Sequence, residues 1–375
     1  MDDVGPISAA PASSEPRPKP PADRFASRYP EAHFDALLVV AFGGPEGPDD
    51  VMPFLENVTR GRGVPRARLE EVADHYGLFD GVSPINEQNR ELIRALRVVL
   101  DERDVGLPIY FGNRNWHPYL NDVIGEMHKD GVERSLALFT TAYSSYSSCR
   151  QYRENLYAAQ VACGPDAPEI LRLRAFYNHP GFIEANASRL EDAMAGLSDS
   201  RRTNAHVVFT AHSIPTAMAA TCSYSAQLEE TAQLVAEAVA HDNFELVYQS
   251  RSGSPHVPWL EPDVCDHLRS LSPAGVKDVV LSPVGFLSDH IEVLFDLDIE
   301  AREVANEVGI ELRRASAVGT HPLFVAMLAD LVEERLAPEN GARAALGAHG
   351  PSPDVCGASC CLRGNGQASP WDDPA

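Results

Sequence analysis

His212 ends an apolar run that is typical of a buried strand, and Ser213, Ile214 and Pro215 follow it directly. A neutral imidazole accepts protons and binds metal ions near pH 7. Open α/β sheets bind ligands at the carboxyl ends of their strands, which is where His212 stands. A lone histidine is more often structural, but this position favours a role in catalysis or metal binding.

Three acidic residues, Glu292, Asp296 and Glu300, recur at intervals of four and therefore share one face of a predicted helix. Like charges at this spacing repel each other unless a cation or solvent screens them. Asp289 and Glu292 also fit a capping box, which would explain Glu292 but not the other two carboxylates. The row can conduct divalent metal ions or protons toward a pair formed by His212 and Glu292.

Cysteines are concentrated near the C-terminus. The chain has seven, and Cys356, Cys360 and Cys361 fall within six residues. An odd number scattered over a long chain does not predict a disulfide scaffold. Thiolates this close can bind zinc or an iron–sulfur cluster, or their proximity can be incidental.

Other polar segments supply guanidinium and hydroxyl groups, which suit carboxylate ligands. The candidates are Arg60, Arg62, Ser83, Arg114, Tyr143, Tyr146 and Tyr152, with Trp259 as an aromatic wall. The set indicates a flat apolar ligand fringed with carboxylates. The chain lacks the glycine-rich phosphate loops of nucleotide-binding proteins and the Gly-x-Ser-x-Gly elbow of serine hydrolases.

The elements that must position these residues alternate between apolar strands and helices of 10–15 residues, which predicts parallel sheets. Predicted strands cover 36–42, 107–111, 135–140, 206–210, 244–249 and 279–282. Predicted helices cover 49–58, 65–76, 86–102, 120–130, 182–196, 225–241, 290–308 and 321–336. We expect an α/β fold of two doubly wound halves that face each other, with Phe42 and His212 at equivalent strand ends.

The division of the chain follows the same rhythm. Residues 1–33 are rich in Pro, Ala and Ser and predict a disordered arm. We expect a first domain over 34–175, a second over 176–320, a helix at 321–336 packing back on the first, and a tail over 337–375.

Composition excludes several classes of function. The 31 Lys and Arg residues against 54 Asp and Glu residues give a net charge of −23. This balance argues against binding of nucleic acid or of an anionic membrane through a basic patch. No apolar run reaches the length of a membrane span, and the first 33 residues lack a signal-peptide core. We expect a cytoplasmic protein.

Six motifs in this order resemble the ferrochelatase family over residues 34–336. They are FGGP at 42–45, GVSP at 81–84, TAHSIP at 210–215, QSR at 249–251, PWLEP at 258–262 and PVGFLSDHIE at 283–292. The resemblance implies the chelatase fold, with two Rossmann-like domains around a porphyrin cleft, and insertion of Fe²⁺ as the substrate metal.

The actinobacterial-type members are most similar, which implies coproporphyrin III as the porphyrin and protoporphyrin IX as the alternative. A non-catalytic tetrapyrrole or iron carrier and a cobalt or nickel chelatase are further alternatives. Haem-pathway enzymes are candidate partners, and a monomer is favoured.

By position, the resemblance makes His212 and Glu292 the catalytic and metal-site pair. It makes Asp296 and Glu300 the rest of an acidic ladder that lies on a helix with a π-type irregularity. The porphyrin-contacting positions are Ser83, Tyr152, Phe42, Arg60 and Trp259. Phe42 departs from relatives that have a tyrosine there, which removes one oxygen ligand.

Resemblance to cluster-bearing members implies a 2Fe–2S cluster, which needs four thiolates. The tail supplies Cys356, Cys360 and Cys361. We expect Cys149 to complete the set, with Cys163 and then Cys265 as alternatives.

Overall fold

The computed structural model describes residues 33–253, 256–338, 343–357 and 359–364. The predicted arm lies outside the described residues except for His33, and so do parts of the predicted tail. No helix in these ranges is long and apolar enough to cross a bilayer.

The first half is built on a parallel sheet whose central strand is entirely buried. In spatial order its strands are β2 (Ile109–Asn113), β1 (Ala36–Ala41), β3 (Arg134–Phe139) and β4 (Glu169–Arg172). All six residues of β1 are buried, because helices cover both faces of a parallel sheet.

The second half repeats this plan. Its parallel strands are ordered β6 (Phe244–Gln249), β5 (His206–His212), β7 (Asp278–Ser282) and β8 (Glu311–Arg314). In each sheet the first strand of the half lies inside and the second lies at an edge. The predicted α/β fold of two parallel, doubly wound halves is therefore confirmed.

The helices surround both sheets. They are α1 (Pro48–Val58), α2 (Arg66–Gly77), α3 (Ile85–Glu102), α4 (Leu120–Lys129), α5 (Gln151–Cys163), α6 (Pro180–Met194), α7 (Asp199–Asn204), α8 (Thr216–Ala219), α9 (Tyr224–Ala238), α10 (Val264–Leu271), α11 (Ile291–Val293), α12 (Ala301–Val308) and α13 (Pro322–Leu336). Two π-helical segments, Tyr146–Arg150 and Leu294–Glu300, lead directly into α5 and α12.

Strands β4 and β8 are absent from the sequence prediction. Both are four-residue edge strands with a charged residue at each end, Glu169 and Arg172 in one and Glu311 and Arg314 in the other. A short edge strand buries too little apolar surface to produce a continuous apolar run. Helices α5, α7, α8 and α10 were missed as well.

The two halves are in direct contact. One apolar cluster includes Val39 of the first sheet and Phe209 of the second. Helix α13 packs against α3 and α6, and Arg103 at the end of α3 binds Asp330 and Glu333 of α13 at 2.6 Å each.

Contacts also join the segments that follow the carboxyl ends of both sheets. The Tyr143 hydroxyl, after β3, donates to the Val284 carbonyl, after β7, at 2.8 Å. Gln88 at the start of α3 exchanges two hydrogen bonds with the backbone of Asp289, at 2.9 and 3.2 Å. The fold therefore brings the strand ends of the two halves together.

Candidate active site

His212 is the last residue of β5, where the strand leaves the sheet. The Ser213 N–H donates to the Gln249 carbonyl of β6 at 2.8 Å, and the Tyr224 hydroxyl donates to the His212 carbonyl at 2.9 Å. The imidazole Nδ1 is hydrogen-bonded to the Ser213 carbonyl oxygen. Because a carbonyl oxygen only accepts, Nδ1 carries the proton, and Nε2 of the neutral ring has a free lone pair.

Glu292 faces this lone pair. Its Oε2 atom lies 3.8 Å from Nε2 of His212, and both side chains are partly open to solvent, 49% and 36% exposed. The separation exceeds a hydrogen bond. Each group is therefore free to bind a third atom between or beside them.

The capping-box interpretation of Glu292 is wrong. The N-cap of α11 is His290, whose Nδ1 accepts from the Glu292 N–H at 3.2 Å. Asp289 instead accepts from Arg314 at 2.7 Å and from the Ala317 N–H at 3.2 Å. The Glu292 carboxylate is thus not used in closing its own helix.

A close backbone approach holds the two residues opposite each other. The Gly285 N–H donates to the Thr210 carbonyl at 3.0 Å, next to the end of β5. A Cβ atom at Gly285 would lie 2.5 Å from the Ala211 Cβ. Only glycine lets the loop that carries Glu292 lie this close to the strand that carries His212.

Asp296 lies in the π-helical segment, in contact with the loop after β6. It accepts from Gln249 Nε2 at 3.1 Å and from the Ser250 hydroxyl. Burial, followed by the charges of Glu292 and Glu300, raises the pKa of Asp296 to about 7. Its carboxyl group can therefore take up and release a proton at neutral pH.

Glu300 continues the row into an open groove. The pKa of Glu300 is raised by burial first and then by the charges of Asp263 and Glu303. The groove has a volume of about 430 Å³, and its acidic lining comprises Asp263, Asp296, Glu300, Glu303 and Glu307. Asp296 and Glu300 thus connect the neighbourhood of Glu292 with an acidic surface.

Phe42, at the end of β1, belongs to an aromatic cluster beside Glu292. Its ring meets Phe54 edge to face at 6.3 Å, and Phe54 meets Tyr76 at 6.2 Å. Ile291 packs in the same cluster, and burial, then the charge of Glu292, raises the pKa of Tyr76. Phe42 therefore provides an apolar wall in the part of the molecule that holds His212 and Glu292.

The other predicted porphyrin contacts differ in how exposed their side chains are. Ser83 is buried and donates its N–H to the Pro45 carbonyl at 2.8 Å. Tyr152 is also buried, beneath the guanidinium of Arg114, which lies 4.3 Å from its ring centre. Arg60 is exposed just after α1. These three contacts stay predictions, and the burial of Ser83 and Tyr152 restricts how a ligand reaches them.

Trp259 pairs with Pro215, three residues after His212, in an isolated antiparallel bridge. Its side chain is partly exposed, yet its indole N–H is enclosed without an acceptor among the described residues. Tyr143 and Tyr146 are buried, and their hydroxyls donate to the Val284 carbonyl and to Glu154. These two hydroxyls are therefore not exposed donors for the carboxylates of a ligand.

Four cysteines from distant parts of the chain come together. Arg172 donates to the sulfur atoms of Cys149 and Cys356 at 2.9 Å each, and the sulfur atoms of Cys360 and Cys361 are 3.3 Å apart. Hydrogen bonds from Cys149 and Cys360, and then the charge of Arg172, lower the pKa of Cys356. Cys163 ends α5, and Cys265 lines the acidic groove, so neither belongs to this group.

The sulfur atoms are packed against each other. No three His, Cys, Asp or Glu side chains in the described ranges are arranged around a single metal ion. Two sulfur ligands of a tetrahedral zinc ion would be about 3.8 Å apart with bonds near 2.3 Å. The sulfur atoms of Cys360 and Cys361 are closer than this, at 3.3 Å. The four side chains are therefore arranged as a cluster of thiols and not as the ligands of one zinc ion.

Arg172 and the tail contacts were not predicted, and no sequence signal marks them. Gln249 and Ser250, which hold Asp296, lie in the QSR motif at 249–251, and that motif was the available signal. Arg150 donates to the Cys360 carbonyl at 2.8 Å, and Thr221 donates to the Leu362 carbonyl at 2.8 Å. The tail is thereby attached to both halves of the molecule.

Known proteins of similar sequence include several that are named ferrochelatases. A chain from Streptomyces griseus named coproporphyrin III ferrochelatase is 51% identical over 88% of this chain and 94% of its own length. One from Nocardia farcinica with the same name is 52% identical, over 80% of this chain and 88% of its own. One from Rhodopirellula baltica named ferrochelatase is 54% identical, over 88% and 93%.

Solved structures support the fold. SirB from Bacillus subtilis with Fe³⁺ superposes with a TM-score of 0.51 at 13% identity, over 81% of this chain and 96% of that one. The family model described as ferrochelatase matches residues 34–336, which span both sheets and every residue of the His212–Glu292 site. The chain belongs to the ferrochelatase family.

Proposed function

We propose that this protein inserts Fe²⁺ into coproporphyrin III to give Fe-coproporphyrin III in haem biosynthesis. The observation that carries the proposal is the pair of His212 Nε2 and Glu292 Oε2, 3.8 Å apart at the carboxyl end of β5. Relatives about 51% identical over most of the chain are named for this reaction.

The reaction exchanges two pyrrole protons for one Fe²⁺ ion, so the site must accept protons as the metal–nitrogen bonds form. His212 suits this task, because its Nδ1 proton is held by the Ser213 carbonyl and its Nε2 lone pair is available. Glu292 can receive a proton from the imidazole or bind the arriving ion.

Protons must then leave the site, and metal ions must reach it. Asp296 has a pKa of about 7 and lies between the charges of Glu292 and Glu300. It can therefore take up and release protons at neutral pH. The acidic groove beside Glu300 attracts divalent cations and gives released protons an outlet to solvent.

The apolar wall around Phe42 suits the flat face of a porphyrin. Phe42, Phe54 and Ile291 form part of one cluster that reaches the neighbourhood of Glu292. Phenylalanine supplies no oxygen ligand on this side. We therefore propose that metal insertion here depends on the face of the porphyrin that His212 and Glu292 approach.

Anaerobic assays with Fe²⁺ and either coproporphyrin III or protoporphyrin IX, read by visible absorption, test the proposal. We expect a higher kcat/KM for coproporphyrin III. Equal values, or a preference for protoporphyrin IX, would contradict the proposed substrate. Binding of both porphyrins without metal insertion would contradict the enzymatic role.

We further propose that Cys149, Cys356, Cys360 and Cys361 hold a 2Fe–2S cluster. The donor set fits, because four thiols converge and Arg172 offsets the negative charge of thiolates. Such a cluster supplies one-electron chemistry when bound. Metal insertion is not a redox reaction, so the proposed role of the cluster is structural or regulatory.

A cytoplasmic location and a monomeric state are also proposals. All seven cysteines are free thiols in the structure, which suits a reducing compartment. Size-exclusion chromatography with light scattering tests the oligomeric state.

A further inference from the structure

Arg114 follows β2 directly, at the carboxyl end of the first sheet. Its guanidinium carbon lies 4.3 Å from the centre of the Tyr152 ring and 5.6 Å from that of Phe42. The side chain is partly buried. A cation is thus held against the aromatic wall that we assign to the porphyrin face.

The hydrogen-bond partners of Arg114 are neutral. Its Nε donates to Asn155 Oδ1 at 2.7 Å, and one terminal nitrogen donates to the Ser147 carbonyl at 3.3 Å. Within the described part of the chain, no carboxylate lies within ion-pairing distance of it. Four other enclosed guanidinium groups each have such a partner: Arg134 with Glu169, Arg150 with Glu154, Arg174 with Glu334, and Arg314 with Asp298.

A second cation, Arg62, acts on the Arg114 guanidinium. Burial lowers the pKa of Arg114, the neighbouring Tyr152 acts in the opposite direction, and the positive charge of Arg62 adds to the lowering. Arg62 is exposed in the loop after α1, so the two guanidinium groups approach from different elements. Two cations next to an aromatic wall, with no carboxylate of the described residues paired to Arg114, favour the binding of an anion.

We propose that Arg114, assisted by Arg62, binds a propionate carboxylate of the porphyrin and so determines how the ring is oriented over Phe42. The inference rests on the proposed function, because it takes the porphyrin as the ligand. A carboxylate is a stronger acceptor for the remaining terminal N–H groups of Arg114 than a neutral oxygen, because the hydrogen bond is charge-assisted. In this arrangement the aromatic wall contacts the face of the porphyrin ring, and Arg114 binds a propionate at the edge of the ring.

The experiment compares Arg114→Met, Arg114→Lys and Arg62→Met with wild type. Fluorescence titration gives the dissociation constants of metal-free coproporphyrin III and protoporphyrin IX at low and high salt, and steady-state assays give kcat and KM. We expect Arg114→Met to weaken coproporphyrin binding about 10- to 100-fold, as for a lost charge-assisted hydrogen bond. The loss should shrink at high salt, and KM for coproporphyrin III should rise by a larger factor than kcat falls.

Arg114→Lys should recover part of the affinity, because lysine restores the positive charge but not the paired N–H groups of a guanidinium. Arg94→Met, which removes an exposed arginine paired with Glu87 on α3, is the matched control and should bind like wild type. If Arg114→Met does not fold, as judged by circular dichroism, the exposed Arg62→Met variant is tested in its place. It should show a smaller, salt-dependent loss of affinity for coproporphyrin III.

Weaker binding of both porphyrins would assign Arg114 to a propionate that both carry. Weaker binding of coproporphyrin III alone would assign it to one that only coproporphyrin carries, and either result supports the inference. Unchanged affinity in folded Arg114→Met, or a loss independent of salt, would overturn it. A wild-type preference for protoporphyrin IX would contradict the proposed substrate, yet the effect of Arg114 on a propionate would still be measurable.

Discussion

The Nε2 atom of His212 and the Oε2 atom of Glu292 lie 3.8 Å apart and do not form a hydrogen bond with each other. Nδ1 of the same imidazole is committed to the Ser213 carbonyl. The tautomer is therefore determined by the backbone, and the basic nitrogen points toward the carboxylate. Proton acceptance and metal binding both need this orientation.

Replacing His212 by alanine should reduce metal insertion about 10²- to 10⁴-fold, since a positioned base typically contributes this much. Porphyrin affinity should change little, because the apolar wall remains. Anaerobic assays and fluorescence titration measure the two quantities. His128→Ala, on the exposed end of α4, is the control and should behave like wild type. Full turnover in His212→Ala would remove this residue from the mechanism.

Asp296→Asn should slow metal insertion at neutral pH, because an amide cannot relay a proton. It should also change how stability depends on pH. The folded chain keeps the Asp296 proton up to a pKa of about 7, whereas an unfolded aspartic acid loses it near 3.8. The folded state therefore holds more protons between these values, and Asp296 lowers stability as the pH rises through them.

The variant should consequently be more stable than wild type above pH 7, by roughly 2 kcal/mol after allowance for partial exposure. Below pH 4 this advantage should vanish. Urea unfolding of both proteins across this range measures the difference. A constant difference at all pH values would show that Asp296 has an ordinary pKa.

His179 should make the protein sensitive to acid. Burial, and then the charge of Arg174, lowers the pKa of His179 to about 4 from 6.5. The unfolded chain therefore binds more protons between these values, and stability falls as the pH drops from 6.5 to 4. His179 is nearly inaccessible, so we expect its contribution to be about 3 kcal/mol over this interval.

His179→Asn isolates this effect. His179 caps α6 by accepting from the Gly181 N–H at 3.2 Å, and the asparagine oxygen can accept the same bond without titrating. The variant should lose less stability than wild type between pH 6.5 and 4 in urea unfolding. His128→Asn, with an exposed side chain, should show the wild-type dependence. Identical acid sensitivity in all three proteins would contradict the prediction.

The purified protein should contain iron and acid-labile sulfide in equal amounts, and Cys360→Ser should lose both. Arg172→Gln should lower the cluster content as well, because the thiolates of Cys149 and Cys356 would lose their cationic donor. Cys163→Ser and Cys265→Ser are matched controls and should retain the cluster. Zinc in place of iron, or no metal in anaerobically purified protein, would rule out the proposed cluster.

The two-halved α/β fold could be predicted because its signals are local. The run Ala36–Ala41 is continuously apolar, and the strand ending at His212 has an apolar centre, as is typical of strands buried on both faces. The spacing of Glu292, Asp296 and Glu300 was likewise visible along the chain. A repeated strand–turn–helix pattern was enough to indicate which residues stand at strand ends.

Only the tertiary structure decided the environment of these residues. The pKa of Asp296 depends on burial and on Gln249 and Ser250, which are nearly fifty residues away in the chain. The contact of Arg172 with Cys149 and Cys356 joins segments up to 184 residues apart. The neutral partners of Arg114, Asn155 and the Ser147 carbonyl, are likewise more than thirty residues away in the chain. Hydrophobic periodicity records which face of one element is buried, whereas desolvation and charge pairing depend on all the elements packed around a group.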